Sequence, residues 1–277
     1  MGMEIKDTRE VLRFAQNDKK IIATQSFSKI KAFLFDMDGV LFDSMKHHSE
    51  AWYQVMGEHY GFACDRTLFY MFEGMTGHQV IDDMFVAQRG RHATEREIET
   101  IYAEKSQIFT QLGPAEPMQG AAEVLRKVGE KGFARVLVTG SGQASLINKL
   151  NVAYPGVFDW NHIVSGLDCP IGHGKPHPDP YLFGLRKAAE NTKPVDWEAA
   201  DPFASGVTLS HDEAIVVENA PRGVQAARAA GIFTVAVNTG PLDPKVLSEA
   251  GADIVLEGGM LELAERFEEI LEIKNMK

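Results

Sequence analysis

Short apolar runs alternate with amphipathic stretches along most of the chain from residue 31 onward. The runs have the pattern of buried strands, and the stretches between them repeat apolar residues at helical spacing. Strands that alternate with helices in this way indicate an α/β fold, with a parallel sheet flanked by helices. The predicted strands are residues 31–35, 135–138, 163–164, 214–217, 233–237 and 253–256, and the helices predicted between and after them are residues 121–131, 144–150, 179–190, 221–230 and 260–273.

Residues 45–117 interrupt this alternation, because they contain long helical patterns but no convincing buried strand. The helical patterns cover residues 52–60, 80–88 and 95–112. An insertion directly after the first strand would lie over the strand ends, so we expect an all-helical cap domain here. The expected organisation is therefore a loosely ordered extension (1–29), a core domain (30–44 and 118–277) and the cap (45–117), with a polar surface excursion at 191–213.

Composition is that of an ordinary globular protein, with 277 residues, of which 44% are hydrophobic and 24% charged. The net charge of −11 disfavours partners such as nucleic acid or an anionic membrane. Two cysteines in no metal-like or redox-like pair give no disulfide framework. We also find no segment with the pattern of a membrane span or a signal peptide, so we expect a cytoplasmic protein.

Two carboxylates, Asp36 and Asp38, directly follow the first predicted strand. Carboxylates are rarely buried without partners, and ligands bind in the crevice at the strand ends of open α/β sheets. Glu218 and Asn219 follow the strand 214–217 in the same way. Oxygen ligands with room for waters and a substrate phosphate suit Mg²⁺, although a helix-capping role for Asn219 remains an alternative.

Small and cationic residues follow two other strands. Thr139, Gly140 and Ser141 follow the strand 135–138 and would allow backbone N–H groups to approach an anion, or would simply cap a helix. Lys175 lies in a loop rich in Gly and Pro, and it is our candidate counter-charge for a phosphate dianion held beside two carboxylates. His173 and His177 flank this lysine, but we expect no metal site there because no third ligand is nearby.

These motifs, in the order Asp-x-Asp, Thr, Lys and acid, resemble those of the haloacid dehalogenase superfamily of phosphotransferases. The resemblance covers about residues 31–256 and is greatest to the β-phosphoglucomutase-like branch, which has a small helical cap. The matching stretches are Asp36-Met37-Asp38-Gly39-Val40-Leu41-Phe42-Asp43-Ser44 with His48 and Trp52, Gly174-Lys175-Pro176, and Glu218-Asn219-Ala220-Pro221-Arg222-Gly223-Val224. The resemblance implies a Rossmann-like core and transfer of a phosphoryl group. True dehalogenases need no proton donor two residues after the nucleophile, so Asp38 favours phosphoryl transfer.

By this resemblance, Asp36 would attack phosphorus and become an aspartyl phosphate, and Asp38 would exchange protons with the leaving group and the incoming nucleophile. Thr139 and Lys175 would hold the phosphoryl oxygens. Mg²⁺ would be bound by Asp36, the backbone carbonyl of Asp38, and Glu218 or Asn219.

Three positions depart from the pattern of the resembled branch. Asn219 replaces the usual aspartate, which removes one negative charge from the metal site and predicts a raised Mg²⁺ requirement. Gly77 stands where sugar phosphomutases carry a cap arginine, and Gly142 stands where they carry a lysine. His78, Arg66 or Lys105 could supply a cation instead. His48 and Trp52 lie four residues apart and share one helix face, which could look toward the site.

We therefore expect an Mg²⁺-dependent phosphatase for a small phosphorylated metabolite such as a sugar phosphate, with a monomer favoured. β-Phosphoglucomutase activity is the main alternative. A catalytically weak binding or regulatory homologue is a minor one, and so is phosphonate cleavage through a Schiff base on Lys46 or Lys105.

Overall fold

A computed structural model of the chain describes residues 29–141, 146–192 and 208–277. Our expectations for the N-terminal extension, for Gly142 and for most of the stretch 191–213 lie outside the described residues. The remaining chain contains a single six-stranded parallel sheet with the strand order β3-β2-β1-β4-β5-β6. The strands are β1 (Ala32–Phe35), β2 (Ala134–Val138), β3 (Ile163–Val164), β4 (Ala214–Glu218), β5 (Phe233–Val237) and β6 (Ile254–Leu256).

Strand β1 lies at the centre of the sheet, between β2 and β4. Its last residue, Phe35, pairs with Leu137 on one side and with Val217 on the other. Because the three strands are parallel and end in register, the residues that follow them meet at one edge of the sheet. The strand order reverses at β1, which is where α/β sheets of this kind form a ligand-binding crevice.

Helices cover both faces of the sheet because β1 alternates its apolar side chains between them. Phe33 and Phe35 belong to a cluster with side chains of α5 and α11. Ala32 and Leu34 belong to a second cluster with side chains of α7 and α8. The helices are α1 (Met45–Trp52), α2 (Arg66–Met71), α3 (Gly77–Arg89), α4 (Glu95–Gln111), α5 (Ala121–Glu130), α6 (Leu146–Ala153), α7 (Asp179–Thr192), α8 (Pro221–Ala229), α9 (Pro244–Ala250), α10 (Gly259–Glu265) and α11 (Phe267–Met276), with a π-helical segment at Tyr53–His59 and short 3-10 turns at Trp160–His162 and His211–Glu213.

Helices α1 to α4, here called the helical insertion (residues 45–111), pack around an apolar cluster of their own. Thr76 and Thr94 form capping boxes with Gln79 and Glu97, which explains where α3 and α4 begin. Gly90, with φ of 66°, adopts the left-handed conformation that ends α3. No helix in the described part of the chain is both long and apolar enough to span a bilayer.

The structure confirms all six predicted strands to within one residue at each end, whereas several helices differ from prediction. The predicted helix 260–273 is two helices, because the chain leaves helical geometry at Arg266. The predicted helix 52–60 begins earlier, at Met45, and continues as the π-helical segment. Sequence reasoning missed α2 and α9, although both carry a signal in an N-capping aspartate, Asp65 or Asp243.

Candidate active site

A buried lysine joins two buried carboxylates at the edge of the sheet. Asp36 follows β1, Glu218 ends β4, and Lys175 comes from the loop between β3 and α7. The Lys175 Nζ atom lies 2.5 Å from Asp36 Oδ1 and 2.6 Å from Glu218 Oε1, and it donates a third hydrogen bond to the Val138 carbonyl at 3.1 Å. All three donors of the ammonium group are therefore used. The three charged side chains are at most 4% exposed, so one positive charge is shared between two desolvated carboxylates.

The charges of this cluster are set by burial and by neighbouring groups. Burial lowers the pKa of the Lys175 ammonium, but the Asp36 and Glu218 carboxylates reverse this and raise it above its usual value. Burial raises the pKa of the Asp36 carboxyl to about 7, because Lys175 offsets only part of the cost and the Glu218 and Asp38 carboxylates add to it. A further cation beside Asp36 would lower that pKa again.

Both carboxylate oxygens of Glu218 are engaged by the protein itself. The Oε1 atom accepts hydrogen bonds from Lys175 and from the Tyr181 hydroxyl, which lies 2.6 Å away. The Oε2 atom accepts the backbone N–H groups of Asn219 and Ala220, at 3.0 and 3.3 Å. This arrangement favours Asn219 over Glu218 as a direct metal ligand. Tyr181 is a further site residue that sequence reasoning missed, because it lies within the pattern of an ordinary core helix.

Glu73, between α2 and α3, brings a carboxyl group of the helical insertion to the strand ends. The Asn219 Nδ2 group donates a hydrogen bond to Glu73 Oε2 at 2.8 Å. The other oxygens of this pair, Glu73 Oε1 and Asn219 Oδ1, are buried and have no hydrogen-bond partner among the described residues. Burial, together with the nearby Asp36 carboxylate, raises the pKa of Glu73 well above its usual range. Buried oxygens without donors beside a second carboxylate mark a place that suits a cation.

The donor set at this place therefore fits a hard divalent cation such as Mg²⁺. It contains the Asp36 carboxylate, the Asn219 amide oxygen and the Glu73 carboxylate, all of them oxygen donors. A bound cation would lower the pKa of Glu73, and the ionised side chain would then supply the negative charge that Asn219 lacks. Sequence reasoning missed Glu73, because nothing local indicates that it meets a residue 146 positions away.

Asp38 lies in a second polar network that extends into the helical insertion. It accepts a hydrogen bond from the Ser44 hydroxyl, and the His48 Nε2 atom lies 3.3 Å from Asp38 Oδ1. The Lys105 Nζ atom donates to His48 Nδ1 at 2.7 Å. Because an ammonium group can only donate, Nδ1 accepts, and Nε2 therefore carries the hydrogen that faces Asp38.

The pKa values in this network move in a consistent direction. Burial raises the pKa of Asp38, but His48, Lys149 and Ser44 outweigh this effect and hold it well below its usual range. Burial and the adjacent Lys105 lower the pKa of His48. Burial also lowers the pKa of Lys105 to about 8, against the raising effect of Asp38. The pKa values of Asp36 and Asp38, which are separated by a single residue, are therefore shifted in opposite directions.

Thr139, Gly140 and Ser141 lie at the same edge of the sheet, after β2. The Thr139 Oγ1 atom accepts the Ser141 N–H at 3.1 Å, so this residue forms a local turn as well as facing the site. A Cβ atom on Gly140 would lie 2.9 Å from the Gly74 carbonyl oxygen. The insertion loop therefore rests directly on this glycine.

A cavity of about 80 Å³ lies between the strand ends and the helical insertion. Asp36, Asp38 and Thr139 line it on the sheet side, together with Gly140 and Ser141. The insertion contributes His48, Gly77 and Lys105 and aromatic side chains that include Trp52, Phe69 and Tyr102. Three further site residues do not line the cavity but lie directly behind residues that do. Lys175 contacts Asp36, Glu218 contacts Lys175, and Asn219 contacts Glu73.

The remaining sequence candidates fall elsewhere. His78 does not line the cavity, and its ring packs edge-on against Tyr102, so the structure does not support the predicted substrate contact. Arg66 pairs with Glu50 on the surface, which makes it unsuited to replace the missing cap cation. Lys46 pairs with Asp43 in the same way. Of the predicted alternatives, Lys105 alone lines the cavity.

Tyr102 packs against Gly77, the position where the resembled sugar phosphomutases carry a cap arginine. A Cβ atom on Gly77 would overlap the Tyr102 ring, so the aromatic side chain lies where a longer residue at position 77 would begin. Tyr102 comes from α4, one turn before Lys105. The helical insertion therefore lines this part of the cavity with an aromatic ring in place of a guanidinium group.

Known proteins resemble this chain in sequence and in fold. A family model described as haloacid dehalogenase-like hydrolase matches residues 30–231. A solved structure from Bacteroides vulgatus, provisionally named a β-phosphoglucomutase, is 39% identical with a TM-score of 0.77, and the match covers 94% of this chain and 96% of that one. Hexitol phosphatase A of Escherichia coli is 28% identical over 237 residues, which are 82% of this chain and 91% of the relative. A phosphorylated carbohydrates phosphatase of Thermotoga maritima is 28% identical over 225 residues, 80% of this chain and 92% of the relative.

Proposed function

This chain belongs to the haloacid dehalogenase-like hydrolase family, and we propose that it is an Mg²⁺-dependent phosphatase that hydrolyses small phosphorylated carbohydrates through an aspartyl-phosphate intermediate. The observation that carries the proposal is the pair Asp36 and Asp38 beside one cavity. Asp36 accepts a hydrogen bond from the buried Lys175 ammonium group, and Asp38 pairs with His48 in a separate network. A nucleophile and a proton-transfer group need this kind of separate control.

In the first step, a carboxylate oxygen of Asp36 attacks the phosphorus of the substrate, and the bond from phosphorus to the ester oxygen breaks. Asp38 gives its proton to the departing oxygen. The low pKa of Asp38 in the free protein means that this proton must be gained when the substrate arrives, since a bound phosphate dianion raises the pKa of a nearby carboxyl. In the second step, Asp38 takes a proton from water, whose oxygen attacks the phosphorus of the aspartyl phosphate. The bond from phosphorus to the Asp36 oxygen breaks, which restores the Asp36 carboxylate and releases inorganic phosphate.

Other residues of the chain hold this arrangement in place. Lys175 offsets the charge of Asp36 and would do the same for phosphoryl oxygens, while Thr139 and the backbone at Gly140 and Ser141 would donate hydrogen bonds to them. His48 orients Asp38 through the Nε2 hydrogen that Lys105 imposes. Asp36, the Asp38 carbonyl, Asn219 and Glu73 would hold the magnesium ion. When bound, it supplies positive charge beside the transferring phosphoryl group.

One feature of the cavity favours hydrolysis over mutase chemistry. A mutase must hold a doubly phosphorylated intermediate, and Tyr102 lies against Gly77, where a mutase carries its cap arginine. The names of the relatives from E. coli and T. maritima, both of them phosphatases, support the same choice.

A panel of phosphomonoesters tests the proposal. We expect release of inorganic phosphate from small sugar, polyol and glycerol phosphates, dependent on added Mg²⁺. β-Glucose 1-phosphate is assayed in parallel for conversion to glucose 6-phosphate. Isomerisation without phosphate release would establish the mutase alternative, which the name of the B. vulgatus relative also favours, and no turnover of any compound would favour a binding or regulatory role.

A further inference from the structure

Two histidines and an aspartate converge on the loop that carries Lys175, outside the cavity described above. His173 and His177 flank Lys175, and Asp179 is the first residue of α7. The lysine side chain is 1% exposed, whereas the side chains of His173, His177 and Asp179 are 44%, 39% and 23% exposed. The loop therefore turns its lysine inward and these three groups toward the protein surface.

The three side chains are close enough to share one ion. His173 Nδ1 lies 2.7 Å from Asp179 Oδ2, and His177 Nδ1 lies 3.2 Å from Asp179 Oδ1. The two imidazole rings are 4.1 Å apart between centroids. Within the described residues, this is the only group of three potential ligands whose donor atoms all lie within 4.8 Å of one another. Ligand atoms around a tetrahedral zinc ion stand about 3.3 Å apart, as follows from metal–ligand distances of about 2.0–2.2 Å, so small shifts suffice.

One contact in this group is unfavourable without a cation. His177 Nδ1 accepts the backbone N–H of Asp179 at 3.3 Å, so this nitrogen carries a lone pair. The same nitrogen faces the Asp179 Oδ1 lone pairs at 3.2 Å. Two acceptors that face each other repel. A metal ion would take the Nδ1 lone pair in place of the long hydrogen bond from the Asp179 N–H, and would bind Oδ1 as well, so the repulsion would be replaced by two coordinate bonds.

From this arrangement we propose that His173, His177 and Asp179 form a second metal site, which binds Zn²⁺ or a related first-row divalent ion rather than Mg²⁺. Two imidazole nitrogens and one carboxylate leave positions open for water and suit zinc, cobalt or nickel, whereas Mg²⁺ prefers oxygen donors. Sequence reasoning expected no third ligand here and was wrong, because the start of α7 brings the Asp179 carboxylate within 2.7 Å of one imidazole and 3.2 Å of the other. Bound metal would tie the loop of Lys175 to the first turn of α7.

Metal titration of the full-length protein without an affinity tag tests the site. Co²⁺ is added in the presence of excess Mg²⁺, which occupies the oxygen-ligand centre, and binding is followed by visible absorption and by metal content after gel filtration. The wild-type protein and Asp36→Asn should both retain about one Co²⁺ per chain, because the proposed site does not use Asp36. His173→Ala, His177→Ala and Asp179→Asn should each weaken binding at least about tenfold.

His92→Ala is the matched control, because His92 also contacts an aspartate, Asp82 at 2.8 Å, without a second imidazole in the group. Its affinity should equal that of the wild type. If His173→Ala and His177→Ala bind Co²⁺ as tightly as the wild type does, the proposal is overturned. Circular dichroism and the Tm of each metal-free variant check folding.

A measurement on the unaltered protein makes the result independent of any variant. Diethyl pyrocarbonate modifies exposed imidazoles, and peptide mass spectrometry locates the modified residues. Zn²⁺ should protect His173 and His177 and leave the modification of His92 unchanged. Uniform labelling of all three residues with and without Zn²⁺ would contradict the site.

Discussion

The two sides of the cavity differ in how their polar groups are satisfied. On the sheet side, Asp36, Lys175 and Glu218 bond to one another and to the backbone. On the insertion side, as far as the described residues show, Glu73 keeps one buried oxygen without a partner, and Lys105 is buried with only a neutral imidazole as its hydrogen-bond acceptor. The Asp36–Lys175–Glu218 cluster is therefore bonded internally before any ligand arrives, while the insertion side, together with Asn219 Oδ1 at the strand end, leaves groups for an ion and a substrate to satisfy.

The difference indicates a division of labour. In the proposed mechanism, the sheet fixes the position of the attacking Asp36 oxygen through three parallel strands that end in register. The insertion would supply the groups that complete the metal site and surround the leaving group. Substitutions on the two sides should then change different quantities, and the following predictions use that contrast.

The largest effect is expected for Asp36→Asn on the sheet side. Loss of the nucleophile should reduce kcat at least about 10³-fold, since a covalent step has no substitute in this site. Phosphate release from a substrate of the panel measures the effect, and rapid-quench trapping should find no phosphorylated protein. Turnover at the wild-type rate would sink the proposed mechanism.

Lys175→Met should have the largest effect on stability. It leaves Asp36 and Glu218 buried without their cation, and breaking a buried ion pair from one side costs about 3–5 kcal/mol. Urea unfolding measures the loss. Lys131→Met is the matched control, because Lys131 pairs with Glu268 on the surface and should contribute at most about 1 kcal/mol. Equal losses in the two variants would show that removing the buried cation costs no more than removing a surface one, which would contradict the prediction.

The insertion side should be recognisable by its pH dependence. The pKa of Lys105 falls to about 8 in the folded protein, below its usual value of 10.5. The folded state therefore loses this proton first, so the associated destabilisation is fully present below about pH 8 and disappears as the pH rises toward about 10.5. The free energy of unfolding of the wild type should rise relative to Lys105→Met by about 2 kcal/mol between about pH 7.5 and about pH 9.5.

An exposed lysine controls for general effects of charge on this comparison. Lys245→Met, on α9, should follow the wild-type pH profile. If Lys105→Met also follows it, then Lys105 keeps its ordinary pKa and the insertion side is better hydrated than the structure implies.

The smallest effect concerns the metal site. Glu73→Gln should raise the Mg²⁺ concentration for half-maximal rate about tenfold, and Asn219→Asp should lower it, because the two changes remove and add one ligand charge. Isothermal titration of Mg²⁺ provides a readout apart from activity. Glu99→Gln removes an exposed carboxylate from α4 and should change neither value. An unchanged Mg²⁺ requirement in Glu73→Gln would remove Glu73 from the ligand set.

The sheet side was largely predictable from sequence, and the insertion side was not. Asp36, Thr139 and Glu218 come directly after apolar runs, so the topology of a parallel sheet brings them together. Glu73 lies in the short connection between α2 and α3, and Tyr102 lies in α4. The local pattern around each fits an ordinary surface turn or core helix. Their roles depend on how the insertion packs on the strand ends, which no local periodicity encodes.

One junction determines how far the two sides stand apart. At Gly74 and Gly140 the main chain of the insertion lies against the main chain of the strand-end loop, and a Cβ atom on Gly140 would come within 2.9 Å of the Gly74 oxygen. This contact involves no side chain, so the separation of the two backbones does not depend on which residues occupy α3 and α4. Substitutions in those helices could therefore adapt the cavity to another substrate without changing how far Asp36 lies from the insertion.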